Sequence, residues 1–163
     1  MVAPPEHPQQ PSAARTIGFF TTLGLFQNIP EASERKDFYS DLIRSLLKVD
    51  HIDRGQIACT LKVNASVVNP YNTLHGGVVS SVADLVGLAC VKTVYGDKEF
   101  FLGEFSTSYL AAARLDTEVE VKGSIIRQGR SVVVVNIEFR MKESKKLAYT
   151  SRATFYIMPA ASL

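Results

Sequence analysis

From Gly76 to Val94 the chain reads GGVVSSVADLVGLACVKTV, long enough for a helix of five turns and apolar on nearly every face. A helix of that kind must be buried on several sides. One acid lies inside it: Asp84, between Val82-Ala83 and Leu85-Val86. An unpartnered buried charge is expensive, and aspartate is a poor mid-helix residue. Two glycines, Gly76 and Gly77, open the helix, and Gly96 in Tyr95-Gly96-Asp97 is suited to cap its end.

The rest of the chain must supply the cover. Ser33 to Leu47 predicts an amphipathic helix, with Phe38, Leu42, Ile43, Leu46 and Leu47 at three- and four-residue steps and Ser33 as N-cap. Lys48 to Ile52 and Gln56 to Val63 predict a hairpin about Asp53-Arg54-Gly55. After the long helix come four strand-like runs: 99–110, 116–127, 130–142 and 146–158, rich in β-branched residues. The order is helix, hairpin, long helix, four strands, an α+β arrangement with an antiparallel sheet curled around one helix. A single sheet would leave an apolar face and long edges bare, which argues for pairing with a second copy.

The 163 residues fit one domain, expected over residues 17–158, between a disordered tail over 1–16 and a short tail over 159–163. A net charge of +2, with no basic run interleaved with aromatics, argues against a nucleic-acid partner. Cys59 and Cys90 form no CxxC and no metal-ligand spacing, so they read as interior thiols, and no metal or redox cofactor is expected. No segment reads as a membrane span, and residues 1–15 lack the apolar core of a signal peptide. An intracellular, cytoplasmic setting is expected, with peroxisome and mitochondrion left open. The closing Ala161-Ser162-Leu163 lacks the basic middle residue of a peroxisomal signal.

Asn69, then Leu74-His75-Gly76-Gly77, then Asp84, then four long strands together resemble the hotdog-fold acyl-CoA thioesterases. The likeness is to the phenylacetate-pathway type and the branch of thioesterase superfamily member two. It covers about Gly55 to Met158. It implies a sheet wrapped around a central helix, built as dimers that often pair into homotetramers, and hydrolysis of an acyl-CoA thioester, a reaction of lipid metabolism. The alternative is a non-catalytic hotdog module that binds acyl-CoA or serves as an assembly surface.

Thioester hydrolysis places negative charge on the carbonyl oxygen and needs a base or nucleophile at the carbon. A helix N-terminus offers unpaired N–H groups and a positive dipole end, and glycine lets a ligand approach that backbone closely. Gly76 and Gly77 therefore suit an oxyanion hole; as structure alone they are a tight turn. Asp84 suits a general base on water, or a nucleophile forming a transient anhydride; as structure alone it is a capped or salt-bridged buried acid. The resemblance makes Asn69 the active-site amide, with Asn72 its rival; His75 suits a donor that holds the loop beside the substrate, and as structure alone it is a structural histidine. It also expects a Ser or Thr on the strand after the helix. Aligned on Tyr109, Leu102 takes that place, so either Ser106 fills the role in a shifted register or the role is empty; Glu104 lies nearby. Arg114, Arg127 and Arg130 are candidates for the phosphates of coenzyme A.

Gly76 and Asp84 are eight residues apart, roughly 12 Å along one helix. Both cannot lie about 3 Å from one carbonyl group. A two-fold partner with its helix antiparallel can bring its own Asp84 to the first chain's Gly76. If both residues are catalytic, the protein is at least a dimer with shared sites.

Overall fold

The computed structural model describes residues 11–158. It divides into two units, Met1–Tyr39 and Ser40–Leu163. The first carries α1 (Pro11–Thr22) and a 3-10 turn over Glu31–Glu34. Most of the tail expected over 1–16 lies outside the described residues, but its end, from Pro11, is helical.

The helix expected over Ser33–Leu47 is shorter than its periodicity suggests. Ser33 belongs to the 3-10 turn, with its N–H on the Pro30 carbonyl at 2.8 Å, and does not cap a helix. Asp37 then takes φ +64°, a left-handed backbone that no α-helix passes through. Helix α2 runs only over Phe38–Ser45, and the next strand begins at Leu47.

From there the order is β1 (Leu47–Asp53), β2 (Gln56–Lys62), α3 (Gly76–Tyr95), β3 (Phe100–Tyr109), β4 (Glu118–Gln128), β5 (Val132–Met141) and β6 (Leu147–Ile157). The six strands form one antiparallel sheet in the order β1-β2-β4-β5-β6-β3. The hairpin between β1 and β2 turns at Gly55, whose φ of +76° needs a glycine. Strand alternation sorts each face. Val133, Val135, Ile137 and Phe139 of β5 are fully buried, while Val132, Val134, Asn136 and Glu138 between them are half-buried.

Helix α3 lies across the buried face of this sheet, against β2 to β6. Gly96, at φ +60°, closes it with its N–H on the Lys92 carbonyl at 3.0 Å. By length and composition alone α3 is apolar enough to cross a membrane. Its contacts explain the composition otherwise: Val78, Val79, Val82, Ala83, Val86, Gly87, Cys90 and Val91 are buried against the sheet. The cover is nevertheless one-sided. Leu85 is 45% exposed, and Ser81, Asp84 and Leu88 are half-buried along the same stripe.

A glycine on the sheet sets how closely the helix approaches it. A Cβ on Gly123 of β4 would fall 2.7 Å from Cys90 Sγ and 2.9 Å from Val86 Cγ1. Gly123→Ala is therefore expected to cost about 1–3 kcal/mol by overpacking. Gly18→Ala, with nothing within 4 Å of the new atom, is the matched control. Thermal melts of both compare the two; equal midpoints would rule out a packing role for Gly123.

Candidate active site

The segment between β2 and α3 is held by its own side chains. Asn69 Oδ1 accepts from the Tyr71 N–H at 3.0 Å, the Thr73 N–H at 3.2 Å and Thr73 Oγ1 at 3.0 Å. The carboxamide oxygen is thus occupied by the turn, and the amide NH2 is the end left for a ligand. Asn72 is exposed at φ +56° and serves the turn through its backbone, bonding Asn69 O and Leu115 N. Asn69 lines the cleft beside α3 and Asn72 does not.

His75 is the N-cap of α3, and its Nδ1 accepts from the Gly77 N–H at 3.1 Å. That bond separates the two glycines. The Gly77 N–H is taken, while among the described residues nothing accepts the Gly76 N–H. Gly76 is therefore the donor open to a ligand, and Gly77 is part of its support. Gly76 lines a cleft of about 360 Å³ with Asn69, Thr73, Leu74, Tyr109, Leu110, Ala111, Ala112 and Tyr149.

Asp84 lies two turns further along α3. Burial pushes its carboxyl above the usual range, and desolvation is the only contribution to the shift. No hydrogen bond or ion pair among the described residues holds it. It is not the salt-bridged structural acid of the alternative reading, and it does not line the Gly76 cleft of its own chain.

Strand parity places the β3 candidates. Ser106 is exposed and pairs across from the exposed Arg152, on the face turned away from α3. Glu104, opposite Thr154, is exposed on that face too. Leu102 pairs with fully buried Phe155 and packs against the core, so its place is apolar. The hydroxyl that faces α3 is Thr107, whose Oγ1 lies 2.8 Å from Oγ of buried Ser151. Sequence reasoning missed this pair, although counting by twos from Tyr109 reaches Thr107 and passes over Ser106.

The arginines are spread over the two ends of α3. Arg114 lines a cavity of about 700 Å³ that shares Ala112 with the cleft, but Asp116, Glu118 and Glu143 line it too. Arg127 lines a cavity of about 350 Å³ with Arg54 and Val94, and no acid among its lining residues. Arg130 is exposed on the adjoining turn, where Gly129 O accepts from Tyr95 Oη at 2.6 Å. One chain thus brings together Asn69, His75, Gly76 and Gly77, with Arg114 nearby. It leaves Arg127 and Arg130 a helix length away, roughly 30 Å for twenty residues. Among the described residues no group of three His, Cys, Asp or Glu could hold a metal ion. Cys59 and Cys90 are free and buried.

A curled antiparallel sheet on one long helix, with an open donor at that helix's N-terminus, defines the hotdog class. The comparisons agree. The thioesterase superfamily model matches residues 71–148, just under half of the chain. Over that stretch the chain is similar to the thioesterase superfamily, and it shares the hotdog fold of the solved structures it matches. A Caenorhabditis elegans protein provisionally named an esterase is 24% identical over 108 residues, covering 66% of this chain and 64% of its own. This chain thus spans slightly less than two thirds of that relative. Human acyl-coenzyme A thioesterase 13 is 20% identical over 103 residues, 63% of this chain and 74% of its own. Zebra fish thioesterase superfamily member 2 superposes with a TM-score of 0.71 at 21% identity, over 77% of this chain and 90% of that one. A Streptococcus pneumoniae thioesterase protein solved with coenzyme A gives 0.67 at 25% identity, over 76% and 95%.

Proposed function

We propose that this protein hydrolyses the thioester of an acyl-CoA to free acid and coenzyme A, in a site completed by a second copy of the chain. The observation that carries the reading is the open Gly76 N–H at a positive helix end, with an unpartnered, desolvated Asp84 on the same helix. The thioesterase names of its relatives support it.

The chemistry needs two helices. Asp84 takes a proton from water, and the hydroxide attacks the thioester carbon. The Gly76 N–H receives the charge on the oxygen, and the tetrahedral intermediate expels the thiolate, which takes the proton back from Asp84. In the nucleophilic variant, Asp84 attacks the thioester carbon and expels the thiolate; water then opens the anhydride to the free acid and the Asp84 carboxylate, and its proton goes to the thiolate. The Asn69 amide donates to the water or the thioester. The bare stripe of α3 around Leu85 and the unpaired outer edge of β3 are surfaces a two-fold partner would cover.

An antiparallel partner that sets its Asp84 at Gly76 also carries its Val94 end about 15 Å beyond that point. Its Arg54, Arg127 and Arg130 then face the mouth of the first chain's cleft, a basic setting for the phosphates of coenzyme A. Arg114, among carboxylates, suits that task less well.

The test is thiol release from short, medium, long and aromatic acyl-CoAs by the pure protein. Turnover of at least one is expected. Binding to all with turnover of none would move the binding-module reading ahead.

A further inference from the structure

We propose that Tyr109 is a positioning residue that sets the Gly76 amide for the developing oxyanion. The proposal rests on the thioesterase reading in its kinetic arm alone. The Gly76–Gly77 peptide is gripped at both ends. Its N–H is held by His75 Nδ1 at 3.1 Å, and its carbonyl accepts from Tyr109 Oη at 3.2 Å. The next peptide back carries the N–H of Gly76, which has no acceptor among the described residues and belongs to a residue lining the cleft. Fixing one plane of a helix's first turn limits rotation of its neighbour, and a catalytic donor gains most from being fixed in advance.

Tyr109 is itself held from below. Its ring meets Tyr149 edge-on at 5.7 Å, and Tyr149 Oη accepts from the Ala113 N–H at 2.9 Å. Ala113 O in turn accepts from the Leu74 N–H at 2.8 Å. The end of β3, the loop after it and the loop before α3 thus form one braced unit around Gly76. The Tyr109 ring also lies directly on that glycine: a Cβ at Gly76 would stand 3.2 Å from Oη and 3.3 Å from Cε1. The side chain is 55% exposed and lines the cleft, so its hydroxyl is not there to seal a core.

The test is Tyr109→Phe, which keeps the ring and removes the clamp. The expected kinetic result is a fall in kcat of about 10-fold with KM changed less than about 2-fold, at an unchanged Tm. The second readout needs no turnover. By NMR, the Gly77 amide resonance is expected to shift and its hydrogen exchange to quicken in the variant, because the carbonyl loses the Tyr109 bond and keeps Ser80 Oγ, at 3.3 Å, as its side-chain donor. Unchanged exchange at Gly77 overturns the proposal even in an inactive protein. Unchanged kcat in an active one does so too, as does loss of kcat only in step with Tm. Absence of turnover in the wild type counts against the thioesterase reading and leaves the exchange arm to decide this one.

Discussion

Asp84→Asn is expected to lower kcat by about 10²-fold or more, the scale of a lost general base or nucleophile. The oligomeric state should be unchanged. The pH profile should report the same group. Burial raises the Asp84 pKa, so the ionised, active form appears as pH rises through a value above the usual carboxylate range. Stability should move the other way. A folded-state pKa above the unfolded one means the native chain holds the extra proton between the two values. Raising pH through that window therefore costs stability, and above it the penalty is complete. Asp84→Asn removes the penalty, so at neutral pH the dead variant should melt no lower than the wild type. Full activity in the variant would make Asp84 structural.

Sharing of the site is tested with the same variant. In a hybrid with Gly76→Val subunits, one of the two sites takes Gly76 from the Asp84→Asn chain and Asp84 from the other, and is intact. Mixing two inactive variants should restore turnover. No restoration in verified hybrids would place the whole site in one chain.

Phe155→Ala is expected to cost about 3–5 kcal/mol, the usual range for emptying a core aromatic site. Phe155 is fully buried on β6, and its Cε2 and Cζ lie 3.0 Å from where a Cβ on Gly87 would be. The ring fills the notch that Gly87 leaves in α3, so truncation opens a void between helix and sheet that neither rigid element can close. Against a typical total of roughly 5–15 kcal/mol, this is a large part of the stability. Urea unfolding should show a lower midpoint with an unchanged slope. A loss under about 1 kcal/mol would mean that the helix settles into the gap.

What the sequence determined by itself is what repeats along the chain or is punctuated locally. The long helix ends where Gly96 ends it, because a left-handed residue stops a helix wherever it falls. The four late strands follow from β-branched runs with polar turns between them. His75-Gly76-Gly77 and Asp84 stand out because their spacing and chemistry are intrinsic to the chain. The same local reasoning overextended α2, since an apolar period says nothing of the left-handed Asp37 that interrupts it. It named Ser106 and never weighed Thr107, because which face of β3 meets α3 is set by its pairing with β6. Only tertiary structure assigned Gly77 to the His75 cap and left Gly76 open, brought Tyr109 onto Gly76 from 33 residues away, and set Arg127 at the far end of α3. Those choices rest on hydrogen bonds and packing between segments distant in sequence, where no periodicity in the chain records the partner.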